Sequence, residues 1–293
     1  MGSDPTRTKG IRGRWSSQFQ KRYRTLRGRT TRFLNAAPGP FDLLFIEFFN
    51  KWLATQVDEL LFEFVQTPPP HWQNKYVDQA YARGLAKSQK QIRKDDPDFR
   101  SSASTAVISL LYTRAYEDLK GVTNEMQAQM SRRLTQGILA EDSKAKVIKS
   151  VNNRVDKIGL TRSRIISQTQ TVSTYNTAVI ENTKASISQT GEEGKLLWIT
   201  QGDERVRTTH ALRNGKLYTP KAAFNLINEP NCRCELQAVT GAELEQLESA
   251  SGSKKRIQVR KAGLAESDQA TIERRFRATL DRARRAEGLP DVG

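Results

Sequence analysis

The chain has 293 residues, enough for one large or two ordinary domains, and its 48 lysines and arginines against 32 acidic residues give a net charge of +16. A field of that sign favours polyanionic partners such as nucleic acid, acidic protein surfaces or anionic lipid. The longest apolar stretch, Phe41 to Val65, is broken by Glu47, Lys51, Asp58, Glu59 and Glu63, and no apolar core precedes a small-residue cleavage site near the start, so neither a membrane span nor a secretory signal is expected.

Residues 1–37 read as a basic arm. Arg12, Arg14, Lys21, Arg22, Arg24, Arg27 and Arg29 are interleaved with Trp15, Phe19, Tyr23 and Phe33, and cations with spaced rings suit a phosphate backbone with stacking partners nearby. These seven cations and Trp15 are therefore candidate contacts to DNA or to an acidic partner. The plainer alternative is a solvated basic tail.

Pro38-Gly39-Pro40 interrupts the chain, and a helix is expected from Phe41 to about Val65. Its apolar surface is wide enough to predict packing on two sides. Pro68-Pro69-Pro70 should end it, and His71 is expected to cap or pack. Apolar spacings of three and four then predict helices over Gln73–Ile92, Phe99–Lys120, Asn124–Leu139, Ser143–Val151 and Thr161–Ser188, with Asp95-Asp96-Pro97, Gly121 and Gly159 as breaks. Asp142-Ser143 is positioned to cap the fourth of these. Residues 38–190 thus form a helical domain, a bundle of antiparallel neighbours. It holds no glycine pattern for a nucleotide phosphate.

Residues 191–248 form a second, compact module. Short strands are expected at Leu196–Thr200, Lys216–Tyr218 and Cys232–Val239, with a small helix over Lys221–Ile227 begun by Pro220. Thr240 with Glu243 signals a capping box for a helix to about Glu248. Residues 249–293 are a linker and a basic C-terminal helix from about Asp268 to Ala286, in which Lys254, Lys255 and Arg256 join the candidate DNA or partner contacts. The fold class is α+β, mainly α: a helical bundle followed by a small strand-containing module with a CRC motif, flanked by the basic arm and the C-terminal helix.

The module holds both cysteines and one of the two histidines of the chain. On an extended backbone Cys232 and Cys234 point to one side, and the Asn214-Gly215 turn can return His210 toward them. Two thiolates and an imidazole suit zinc, with Asp203, Glu229 or water as fourth ligand. The alternative is no cofactor, with two half-buried thiols and a hydrogen-bonded histidine. A disulfide across a single residue fits bridge geometry poorly, and two cysteines in such a chain read as reduced. Asp203, Arg205, Arg207 and His210 have a structural reading too: alternating charges on one strand face that pair with each other and with the carbonyls of the CRC turn.

The order of Trp198, Asp203-Glu204-Arg205-Val206-Arg207, His210, Leu212, Asn214-Gly215 and Glu229-Pro230-Asn231-Cys232-Arg233-Cys234 resembles the signature of the Mu-F-like phage minor head proteins. The preceding helix, with Arg162, Arg164, Ile165, Ile166, Gln168, Thr169, Tyr175 and Asn176, resembles the helix before that signature, so the likeness covers about residues 120–240. The chain departs from some members at Arg207, where they carry a cysteine. The resemblance implies a minor capsid component of head morphogenesis, made in the host cytoplasm and present in several copies in the virion. It would sit in the capsid interior or at the portal vertex, beside the portal or major capsid protein and packaged double-stranded DNA bound without sequence preference. It implies no enzymatic activity and no membrane. The competing reading is a metal-dependent nuclease-type hydrolase using Asp203, His210 and the CRC motif, weakened because adjacent Asp203 and Glu204 would point oppositely on a strand.

Overall fold

The computed structural model describes residues 4–38, 40–64 and 71–251. It is an α+β fold, mainly α, whose described residues form two compact units: 11–38, 40–64 and 71–78 with 105–170, and 4–10 with 79–104 and 171–251. The expected linker and C-terminal helix, Lys254, Lys255 and Arg256 included, lie outside the described residues apart from 249–251, which continue a helix.

The first unit is helical. Helix α1 (Lys9–Ala36) is not an arm: it buries Trp15, Phe19, Tyr23, Leu26, Thr30 and Leu34, a stripe at steps of three and four. Trp15 stacks on Tyr76 at 5.4 Å between centroids, and Phe19 meets Trp72 edge-on at 4.9 Å. Helix α2 (Leu43–Val57), capped by Asp42, which accepts the Phe45 N–H, buries Phe49, Leu53 and Val57. Packing on two sides does not hold within this unit, because Leu43, Leu44 and Phe48 are 63, 79 and 59 per cent exposed. A π-helical turn, Asp58–Phe62, follows, and the helix stops where Glu63 turns left-handed at φ 54°, ahead of the prolines. The carbonyl of Leu61 accepts both His71 Nε2 (3.0 Å) and Trp72 Nε1 (2.9 Å), so His71 has the packing role expected of it.

Helix α3 (Asn74–Ile92) has the expected bounds, but α4 (Thr105–Leu139) replaces two expected helices with one. Gly121 sits mid-helix with nothing within 4 Å of where a Cβ would lie, so it interrupts nothing. Likewise α5 (Lys144–Arg154), a π-helical turn at Val155–Leu160 and α6 (Thr161–Thr190) follow without a break. Gly159 is there for space: a Cβ would lie 2.6 Å from Tyr23 Cγ. Ser143 is the N-cap of α5 but makes no side-chain cap bond, and Asp142 pairs instead with Lys146.

The second unit is built on a three-stranded antiparallel sheet of order β2-β1-β3, with β1 Gly194–Ile199, β2 Leu217–Tyr218 and β3 Glu235–Thr240. Leu196 pairs with Tyr218 on one side and Ala238 on the other, which sets the register. Period-two alternation divides the strands between two cores. Leu196, Trp198, Leu236 and Ala238 pack with Tyr175, Val179 and Ile180 of α6 and with Ile92 of α3. Leu197, Ile199 and Val239 pack with Leu244 of helix α9 (Gly241–Ser251). Two short helices lie in the connections, α7 (Thr208–Arg213) and α8 (Pro220–Phe224), the latter capped by Thr219 with Pro220 in its first turn. The expected capping box of α9 is not formed, since Thr240 Oγ1 donates to Asp95 and Glu243 accepts from Gln237.

Candidate functional site: a buried histidine and two cysteines beside the small sheet

Cys232 and Cys234 precede β3 rather than lying in it, and His210 stands on α7, not on a strand. The strand-alternation argument was therefore wrong in its element, yet the three residues converge. His210 Nδ1 is 3.2 Å from Cys234 Sγ and 3.7 Å from Cys232 Sγ, and the Cys234 N–H is directed at Cys232 Sγ from 3.4 Å. All three are buried, and both thiols are free.

The chain turns at Asn214-Gly215 as expected, but by ending α7 rather than by making a tight hairpin. Asn214 Oδ1 accepts from the backbone and hydroxyl of Thr200, at 2.8 and 3.1 Å. Gly215, at φ +75°, donates to the Trp198 carbonyl at 2.8 Å, a backbone conformation few other residues adopt at low cost. This hooks α7 onto the end of β1 and brings His210 beside Trp198, whose ring meets the imidazole edge-on at 5.7 Å.

Glu229 organises the outer side of the imidazole. Its carboxylate accepts His210 Nε2 at 2.5 Å, Arg213 at 2.7 Å and Arg207 at 3.1 Å. Burial works against the charged form, but His210 and Arg213 outweigh it and hold the Glu229 pKa down at about 2. Burial alone would lower His210; its bonds to Cys232 and Glu229 prevail and raise it. A hydrogen bond from Cys234, opposed by burial and aided by His210, lowers Cys232, while Cys234 is pushed up by its bond to Cys232 and by burial. Arg207 also donates to the Pro230 carbonyl.

Asp203 stands apart from this set. It forms a paired bridge to Arg233, at 2.7 and 2.8 Å, and accepts the Arg205 N–H at 3.1 Å within a turn. Arg205 itself is exposed. The expected strand face of alternating charges is thus a turn and a helix start; Asp203 pairs with the Arg233 side chain, and Arg207 donates to the Pro230 carbonyl just before the CRC motif.

Helix α6 supplies the support. Asn176 donates to the Cys234 carbonyl at 3.0 Å and accepts the Leu236 N–H at 2.9 Å, taking the place a neighbouring strand would have. Tyr175 donates to Glu235 at 2.7 Å, with Lys87 at 3.7 Å, and Ser173 donates to Asn228. Arg213, Lys87 and Glu235 carry no motif signal that would have singled them out. Arg213 had one legible cue, its position three residues after His210 on a helix.

Of the candidate DNA or partner contacts, Trp15 is fully buried and its ring cannot stack on a base. Arg22 lies over Trp72 and pairs with Glu63, Arg29 makes a two-pronged bridge to Glu59, and Arg27 pairs with Asp156 at 3.3 Å. Arg12 donates to Gln168. Arg14, Lys21 and Arg24 are exposed on the outer face of α1.

Residues 128–237, from within α4 to within β3, match the family model described as phage Mu protein F like protein. No curated protein and no solved structure matches the chain. The matched stretch contains α6, β1, the histidine of α7 and the CRC turn, and so includes His210, Cys232 and Cys234, which the fold brings together. Over that stretch, and not beyond it, the chain is similar to the phage Mu protein F like family.

Proposed function

We propose that the chain is a phage minor head protein acting in head morphogenesis, associated with the portal vertex or capsid interior and in contact with packaged DNA. The observation that carries this reading is the family match over residues 128–237. The net charge of +16 supports contact with a polyanion, for which Arg14, Lys21 and Arg24 offer an exposed basic face. The apolar row of Leu43, Leu44 and Phe48 on α2 supports a protein partner such as the portal or major capsid protein. Among the described residues no helix is long and apolar enough to cross a membrane.

Against the hydrolase reading, Asp203 is engaged by Arg233 and by its own turn, and Glu229 by two arginines and His210. We therefore read the chain as a structural protein rather than an enzyme. One experiment separates the two readings. Full-length protein mixed with plasmid and Mg, Mn or Zn should bind without sequence preference, lose affinity steeply with salt, and leave the plasmid intact. Replacing Arg14, Lys21 and Arg24 together by Gln should reduce the salt slope by up to about 2.7. Cleavage that disappears in His210→Ala would favour the hydrolase, and absence of binding at low salt would remove DNA contact from the proposal.

A further inference from the structure

We propose that His210 Nδ1, Cys232 Sγ and Cys234 Sγ bind one zinc ion, with water as the fourth ligand. The inference stands on this cluster alone and does not depend on the head-protein reading.

The three donor atoms lie within 4.8 Å of one another, and all three residues are buried. A tetrahedral ion at about 2.3 Å from sulfur and about 2.0–2.1 Å from nitrogen needs donors roughly 3.5–3.8 Å apart. The nitrogen–sulfur distances of 3.2 and 3.7 Å are already near that spacing, and the two sulfurs lie within 4.8 Å of each other.

A second observation comes from the other side of the ring. Glu229 faces His210 Nε2, so in the neutral imidazole the hydrogen belongs on Nε2 and Nδ1, the nitrogen nearest the sulfurs, is the atom left to bind a metal. This is the carboxylate–histidine pairing that orients metal-bound imidazoles, and Arg213 and Arg207 fix the carboxylate in turn. The sulfur side is equally held. Asn176 pins the Cys234 carbonyl, and the Cys234 N–H points at Cys232 Sγ, where it would stabilise a thiolate.

The donor set selects the ion. Two sulfurs and an imidazole suit zinc and exclude calcium and magnesium, which require oxygen ligands. Asp203 and Glu229 are committed to arginines, which leaves the fourth position to water. On binding, the thiol protons leave to solvent and two thiolates balance the 2+ charge, so the buried site is neutral overall. The ion would join α7 to the turn before β3 and staple a connection, residues 200–234, that contains only two short helices and a two-residue strand.

The test uses the full chain purified under reducing conditions with zinc present. Elemental analysis after gel filtration should find about one equivalent per chain. Replacing zinc by Co2+ should give near-ultraviolet thiolate-to-cobalt charge transfer and visible bands of tetrahedral intensity. Cys232→Ser, Cys234→Ser and His210→Ala should each lose the metal. Should these variants fail to fold, the cobalt spectrum of the unaltered chain still decides. Absence of both bound zinc and the charge-transfer band would overturn the proposal. So would zinc retained by a folded chain lacking both cysteines, or a Cys232–Cys234 disulfide as the resting form under reducing conditions, read as a mass lower by two hydrogens.

Discussion

Asn176 shows how one side chain can hold a site it does not belong to. It spans the Cys234 carbonyl and the Leu236 N–H from within α6, where it is buried. Truncating it leaves one buried acceptor and one buried donor unpaired, each costing about 1–3 kcal/mol. Asn176→Ala should therefore lower stability by about 2–6 kcal/mol in urea denaturation. A loss under about 0.5 kcal/mol, the range of surface substitutions, would mean that water or a shifted strand replaces the clamp. Convergence of His210, Cys232 and Cys234 was legible in the sequence, because soft donors are scarce in this chain and cluster in one short stretch. The elements that carry them were not: two cysteines spaced by one residue look alike in a strand and in the turn before it. Glu229 was legible only as a ligand, because sequence spacing does not reveal which imidazole nitrogen a carboxylate will meet.

At the scale of elements, the two kinds of glycine separate what periodicity could show from what it could not. The helical period set α3 within a residue of its observed start, and strand and turn signals located all three strands, whereas Gly121 and Gly159 were read as breaks and neither is one. A glycine has one letter in sequence and several uses in space. Gly84 on α3 faces the α6 backbone so closely that a Cβ would lie 2.3 Å from the Tyr175 carbonyl oxygen, while Gly121 on α4 faces open space. Gly84→Ala should push the helices apart and cost about 1–3 kcal/mol, as overpacking does. Gly121→Ala should stabilise by about 0.5–1 kcal/mol, because alanine loses less backbone freedom in a helix. Thermal unfolding of the two variants checks both signs. Destabilisation by Gly121→Ala would argue that α4 is not one continuous helix. The aromatic spacing of α1 likewise contained its own answer: Trp15, Phe19, Tyr23 and Leu26 recur at helical intervals, and that pattern marks a buried face more directly than interleaving with arginines marks a nucleic-acid contact.

For the whole molecule, the charge and the family match point to the same setting, but the structure changes how the charge can be probed. Removing residues 1–37 would delete Trp15, Phe19, Tyr23, Leu26 and Leu34 from a core, so lost DNA binding after that truncation would report unfolding rather than lost contacts. Substitution on the exposed face of α1 leaves its buried stripe in place and lowers the positive field. The central claim, that the chain is a component of the phage head, is tested most directly by quantitative mass spectrometry of purified proheads and DNA-filled heads from the phage that encodes it. The account predicts that the chain is present in both, at a small fraction of the major capsid protein's copy number. Its absence from both, with the chain remaining in the soluble lysate, would contradict the account.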